Sequence, residues 1–276
     1  MAVAEAKNDR GVDLFAVRSV LFLPASNPRA IAKAREVRPD LVVLDLEDAV
    51  KANDKDDARK AALDAVRGDW PMPVAIRVNG VGTKWHSLDL DAVGRSNCDL
   101  IVIPRAISAH LMREVAEAVG KPALAMIETA RGVVAASEIA SQSAGLIAGT
   151  NDLRADLRLP LSATRAPISA SLQLIVLAAR ASGIAVFDGV FNGLDDREGF
   201  LREAREGRTL GFDGKSLIHP NQIDACHLAF APTREEVERA QMLVDAFQGG
   251  AERLDDEMIE QMHVDAARRV LERASG

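Results

Sequence analysis

Glu128 follows the apolar run at residues 123–127, and Asp152 follows the next run, at residues 145–148. Two carboxylates without a histidine beside them suit a hard cation. Mg²⁺ takes one or two protein carboxylates and completes an octahedron with water and substrate, so Mg²⁺, with Mn²⁺ as the alternative, is favoured over Zn²⁺. Arg77 lies inside the otherwise apolar run 74–78. A guanidinium there is costly to bury alone, and its fork matches a carboxylate bidentately. It reads either as the anchor for a substrate carboxylate or as the partner of the acids in "DLEDAV". That motif puts Asp45, Glu47 and Asp48 within four residues. They repel one another unless a cation is near or the loop is simply solvated. Glu47 and Asp48 are candidates to order water at a metal or to hold a basic group. Arg105, after the run 100–103, adds a second cation. Asn27-Pro28 reads as a helix cap whose free N–H groups could face an anion. His219-Pro220 reads as a turn. Lys215 is expected just before the last run, at the face away from the site.

The elements that would position these groups recur regularly. Apolar runs at residues 20–23, 41–44, 74–78, 100–103, 123–127, 145–148, 184–187 and 216–218 alternate with segments of helical spacing, such as 29–38, 54–66, 109–118, 133–141, 168–181 and 199–209. Continuous apolar strands between amphipathic helices imply parallel strands buried on both faces. Eight such units predict an α/β chain folded as a (β/α)₈ TIM barrel, with the site at the C-terminal strand ends. An open doubly wound sheet is the alternative, but no G-x-G-x-x-G follows the first run. Neighbouring strands lie about 4.8 Å apart, so acids behind the fifth and sixth can reach one ion. Residues 1–228 are expected to form the catalytic barrel. Residues 229–276 are expected to form a helical tail packing on the barrel or on a neighbouring subunit. Within it, 233–247 reads as a helix with a capping box at Thr233 and Glu236. Gln248-Gly249-Gly250 breaks that helix, and a second one is expected from about residue 255 to 273.

Composition narrows the partners. The chain of 276 residues has a formal net charge of −7 and no offsetting basic run, which argues against nucleic acid. An anionic substrate would therefore depend on locally placed arginines. The two cysteines, Cys98 and Cys226, are far apart, so a disulfide framework is not expected and a reducing, cytoplasmic setting fits. No run approaches the roughly 20 apolar residues of a membrane helix, and residues 1–13 lack the apolar core of a signal peptide. Tyrosine is absent, leaving carboxylates, Arg, Lys, His, Ser and Thr to do any chemistry.

The ordered stretches "RSVLFLPASNP", "LVVLDLEDAV", "KDDAR", "IRVNG", "IVIPR", "AMIETARGV", "IAGTNDL", "VFDGV", "GFDGKSLIHPNQI" and "AFAPTREEVERA" resemble the citrate lyase β-subunit-like (CitE-like) enzymes of the HpcH/HpaI aldolase family. The resemblance implies a TIM barrel assembled as a homo-oligomer, a trimer or hexamer. It implies cleavage or formation of a carbon–carbon bond in a 3-hydroxy-acyl thioester of the citryl-, citramalyl- or malyl-CoA kind. The partners would be an acyl-CoA or acyl-carrier thioester and a 2-oxo acid. Matched position by position, Glu128 and Asp152 take the place of the Mg²⁺ ligands, and Arg77 that of a substrate-binding arginine. Glu128 would also lie against substrate. Catalytic candidates are then Arg77, Glu47, Asp48 and Glu260, with water ordered by Glu47 or Asp48, or Glu260 of a neighbour, as the base. The chain departs from the family pattern in three places. Pro24-Ala25 replaces Pro-Gly, and Pro104-Arg105 replaces Pro-Lys. The tail reads "DDEMIE", ending at Glu260, where relatives carry a glycine and an aspartate. The competing readings are thioester hydrolysis, malate synthase-like condensation and a non-catalytic subunit of a lyase complex.

Overall fold

In the computed structural model, which describes residues 11–254 and 256–275, every apolar run becomes a parallel strand. The strands are β1 (Ser19–Pro24), β2 (Leu41–Asp45), β3 (Val74–Arg77), β4 (Leu100–Ile103), β5 (Ala123–Ile127), β6 (Gly145–Ala148), β7 (Ala185–Asp188) and β8 (Gly214–Leu217). Each pairs with the next and β8 closes on β1, giving the eight-stranded barrel of a (β/α)₈ fold. The intervening helices are α1 (Pro28–Val37), α2 (Lys55–Ala65), α3 (His86–Gly94), α4 (Ala109–Val119), α5 (Ala130–Val134), α6 (Ala136–Ala140), α7 (Thr150–Asp156), α8 (Ser169–Ser182) and α9 (Arg197–Leu210). After β8 come α10 (Ile223–Phe230), α11 (Arg234–Ala246), the hairpin β9 (Glu252–Leu254) and β10 (Glu257–Ile259), and α12 (Gln261–Ser275). The chain divides into two compact units, Met1–Ala229 and Phe230–Gly276. No helix among the described residues is long and apolar enough to cross a membrane.

Side chains alternate across a strand, so every second residue points into the barrel. Val20, Leu41, Val43, Ala75, Leu100, Val102, Leu124, Met126, Ile147 and Phe187 share one buried cluster that fills it. The alternation continues upward along three strands. Leu41 and Val43 lead to Asp45, Ala75 leads to Arg77, and Leu124 and Met126 lead to Glu128. The polar floor of the mouth is therefore the next layer of the same packing scheme. Each charged residue caps an apolar column.

Two expectations change. Lys215 does not precede the last strand. It lies within β8, is fully buried, and its Nζ meets Asp188 Oδ2 at 2.8 Å and Glu203 Oε1 at 2.9 Å. Its carboxylate partners from β7 and α9 make a lysine acceptable inside a strand, which composition alone hides. Arg165 joins the same cluster, 2.7 Å from Asp188 Oδ1. The second tail helix begins at Gln261, because β9 and β10 take up the preceding residues as a hairpin. The α3 segment, not among the helices expected from sequence, carries no regular apolar stripe, since one of its buried positions is Asp89, held by Arg59 and Asn79. The capping box at Thr233 and Glu236 forms.

Removing one member of a buried ion pair strands its partner in a low-dielectric interior. Lys215→Met is expected to destabilise the fold by about 3–5 kcal/mol, read as a lower urea midpoint with an unchanged slope.

Candidate active site

Asp45 and Arg77 are register partners across β2 and β3. Arg77 Nε donates to Asp45 Oδ1 and Nη2 to Oδ2, both at 2.6 Å. The aspartate, 1% exposed, also accepts the N–H groups of Glu47 (2.8 Å) and Ala49 (3.0 Å). One carboxylate thus clamps the guanidinium and shapes the turn after β2. Arg77 Nη1 lies 3.0 Å from Glu47 Oε2 and 3.6 Å from Met126 Sδ, and the guanidinium sits 5.3 Å from the centre of the Phe22 ring. Of the two roles open for Arg77, the ion pair with the "DLED" acids is present in the structure. Nε and Nη2 are taken by Asp45, and Nη1 is turned toward Glu47.

Glu47 Oε2 is buried and has no hydrogen bond; its 3.0 Å approach to Arg77 lacks hydrogen-bond geometry. Burial, opposed by Arg77 and reinforced by Asp48, Asp45 and Asp152, pushes the Glu47 carboxyl up to about 7. Asp48, on the same turn, is exposed.

Glu128 follows β5 and is 2% exposed. Its Oε1 accepts the backbone N–H of Arg105 at 2.6 Å. Arg105 holds a left-handed φ of 49°, a conformation that aims this amide at the acid. Burial, together with Glu47 and Asp152, pushes Glu128 up to about 8 against the opposing Arg105 amide and Arg77. The β5–β6 register pairs Ile127 with Ala148, which sets Glu128 opposite Gly149. A Cβ at Gly149 would overlap that of Glu128 and come to 2.5 Å from Oε2, so the glycine leaves the carboxylate its space.

Asp152 projects from the first turn of α7, where a carboxylate is favoured by the helix dipole. Its side chain is 40% exposed, and Arg105 Nη1 stands 3.8 Å from its Oδ1. Burial and the charge of Asp48 raise its pKa, and Arg105 and Arg77 oppose that. Glu128, Glu47, Asp48 and Asp152 are thus mutually repelling acids around one mouth. Among the described residues no group of three or more His, Cys, Asp and Glu is arranged to hold a metal alone. A cation bound by one or two carboxylates, with water and substrate beyond them, matches the donor set of Glu128 and Asp152.

Glu260 stands apart from this group in the chain. It lies in the unit Phe230–Gly276, just before α12, where its N–H donates to His263 Nδ1 at 3.0 Å. Asn27 caps α1 by accepting the Ala30 N–H at 3.1 Å, and His219 Nδ1 accepts the N–H of Asn221 at 3.2 Å. Sequence reasoning missed the Arg105 amide and the need for Gly149. The first depends on one backbone angle and the second on a cross-strand register, and neither leaves a pattern in residue type.

A model of the HpcH/HpaI aldolase/citrate lyase family matches residues 18–220. The (3S)-malyl-CoA thioesterase of Cereibacter sphaeroides (strain ATCC 17029) is 38% identical over 269 residues, covering 93% of this chain and 94% of that protein. The citrate lyase β subunit of Haemophilus influenzae is 36% identical over 280 residues, covering 93% and 96%. The crystal structure of CitE from Mycobacterium tuberculosis in complex with magnesium, acetoacetate and coenzyme A has a TM-score of 0.85 to this chain at 33% identity, covering 94% and 98%.

Two outcomes follow from the geometry. Glu128, held near 8, is mostly protonated at pH 7, whereas a metal ligand must be ionised. Mg²⁺ binding should therefore release protons, and Mg²⁺ affinity should rise as pH climbs through 8. Calorimetric titration at pH 7 in two buffers of different ionisation enthalpy measures this, and identical heats would rule it out. Gly149→Ala forces Glu128 aside and should weaken Mg²⁺ binding by roughly 10- to 100-fold in a protein that still folds, read by the same titration.

Proposed function

The chain belongs to the HpcH/HpaI aldolase/citrate lyase family, and from that premise we propose that it is a Mg²⁺-dependent carbon–carbon lyase. Its substrate would be a short 3-hydroxy-acyl thioester of the citryl-, citramalyl- or malyl-CoA type, cleaved to an acyl thioester and a 2-oxo acid. The observation that carries the reading is that Glu128 and Asp152 share the barrel mouth with half-buried Glu47 and buried Arg77. The similarity to a CitE bound to magnesium, acetoacetate and coenzyme A supports it.

Glu128 and Asp152 would hold the ion, Mg²⁺ or alternatively Mn²⁺. Bound there, it would supply Lewis acidity toward the substrate's oxygens and a template for its orientation. The chain's own groups do the rest. Arg77 is fixed by Asp45 and presents Nη1 to the substrate carboxylate, so its orientation is set before binding. Glu47 takes the hydroxyl proton. A carboxyl held near 7 is well matched to proton transfer at neutral pH. As the hydroxyl oxygen becomes a ketone, the bond to the thioester α-carbon breaks. Its electron pair remains on the thioester side as an enolate, which takes up the proton that Glu47 removed. Asp48 assists by ordering water at the turn. Glu260 of a neighbouring copy, in a trimer or hexamer, is the alternative base. Buried Cys98 and Cys226, which form no disulfide, suit a cytoplasmic setting.

A second reading is hydrolysis of the thioester, favoured by the similarity to a (3S)-malyl-CoA thioesterase. The same anchors would hold the substrate, and water would attack the thioester carbonyl.

Purified protein with Mg²⁺ and a panel of short hydroxy-acyl-CoA esters separates these outcomes. Release of a 2-oxo acid with the thioester intact marks the lyase, and release of free CoA with the hydroxy-diacid marks the hydrolase. Failure to turn over any free CoA ester would favour a subunit that works only within a larger complex. Glu47→Gln should lower kcat by about 10²- to 10⁴-fold. Glu128→Gln and Asp152→Asn should each lower kcat by roughly 10²-fold or more, since metal Lewis acidity is worth several kcal/mol. Unchanged turnover in any of the three would remove that residue from the mechanism.

A further inference from the structure

Lys55 is an unexpected residue for its position. It opens α2 and is 7% exposed. A cation at a helix N-terminus opposes the helix dipole, and a buried ammonium loses its hydration. Both effects disfavour lysine here unless specific partners compensate, and those partners all belong to the turn after β2 or stand over it. Lys55 Nζ donates to the carbonyl of Leu46 at 2.9 Å and to that of Glu47 at 2.7 Å. The indole of Trp85 covers it, with the ring centre 5.3 Å from Nζ. Burial lowers the Lys55 pKa, and Asp45, Glu47, Asp48 and Asp89 oppose that by favouring its charge.

The turn that presents Glu47 is therefore gripped from two sides. Asp45 takes its N–H groups, at Glu47 and Ala49, and Lys55 takes its carbonyls, at Leu46 and Glu47. The two grips differ in reach. Asp45 also holds Arg77, so its loss disturbs the substrate anchor as well. Lys55 has no bond to Arg77, Glu128 or Asp152 among those described, so its effect is confined to the turn.

We propose that Lys55 is a positioning residue that fixes the turn at residues 46–50, and through it the carboxylate of Glu47, for proton transfer. The kinetic part of this inference rests on the function proposed above; the structural part does not.

The experiment reads both parts. In Lys55→Met the amides of residues 46–50 should exchange hydrogen faster by about 10-fold or more while the barrel strands keep their protection. On the thioester that the wild type turns over, kcat should fall by about 10- to 100-fold, as for other residues that orient a reacting group. KM should change by less than about threefold, because binding is made elsewhere. Lys55→Arg keeps a charged donor and should recover part of the lost kcat. Lys84→Met is the control, since Lys84 Nζ also lies over the Trp85 ring, at 5.0 Å, and makes no described bond to the turn. It should behave as wild type. Unchanged exchange at 46–50, retained kcat in folded Lys55→Met, or an equal loss in Lys84→Met overturns the proposal. If Lys55→Met does not fold, Lys55→Gln takes its place, and unfolding of both overturns it too, since Lys55 would then serve the whole barrel. Should the wild type act on no thioester, the functional reading fails, and hydrogen exchange alone decides the role of Lys55.

Discussion

The ion pair between Asp45 and Arg77 is the constraint on which the mouth of the barrel depends. Burying two charges removes several kcal/mol of hydration from each, and their attraction repays it only when the remaining donors and acceptors are also satisfied. Asp45 meets that condition with four hydrogen bonds, two from Arg77 and two from the turn amides. Arg77 meets it with a bidentate fork, a methionine sulfur and a ring face. Since both residues occupy the layer above the apolar core, loss of either would leave a bare charge over a dry interior. The geometry of the turn carrying Glu47 follows from the same aspartate.

Around that fixed pair the acids outnumber their counterions. Arg77 is bound to Asp45, and Arg105 reaches Asp152 only at 3.8 Å. Glu47 and Glu128 are raised to about 7 and about 8, and Asp152 is raised from its ordinary value. Burial is the first cause for each, and the neighbouring acids add to it. A site in this condition holds protons or takes up a cation. That is the electrostatic setting in which a divalent ion and an anionic substrate bind together, in a chain whose net charge of −7 would otherwise repel the substrate.

Backbone geometry supplies what charge alone does not. Glu128 has room because Gly149 carries no side chain, and it is held because Arg105 turns its amide inward at positive φ. Glu47 is different. It sits on a turn, not a strand, and depends on Asp45 and Lys55 for its position. The site therefore joins Glu128 behind β5 and Asp152 in the first turn of α7 to an acid held by side-chain clamps.

Much of this was legible in the residues themselves. The eight apolar runs imply the barrel, since continuous hydrophobic strands between amphipathic helices need burial on both faces. That the acids behind the fifth and sixth runs share one mouth could be read as well, because the barrel rule fixes which strand end matters. The tail's capping box could be read from Thr233 and Glu236 alone. Residue order did not reveal which of two partners Arg77 takes, that Lys215 lies inside a strand, or that Lys55 holds the turn of Glu47. Each depends on a contact between residues distant in sequence or on a single backbone angle. Local propensity is encoded every few residues along the chain. A charge inside a strand is tolerated or excluded according to partners that only folding brings within hydrogen-bonding reach. For this protein the sequence by itself determined the architecture and the identity of the acids at its mouth. The tertiary structure decided which charges neutralise one another and which remain for chemistry.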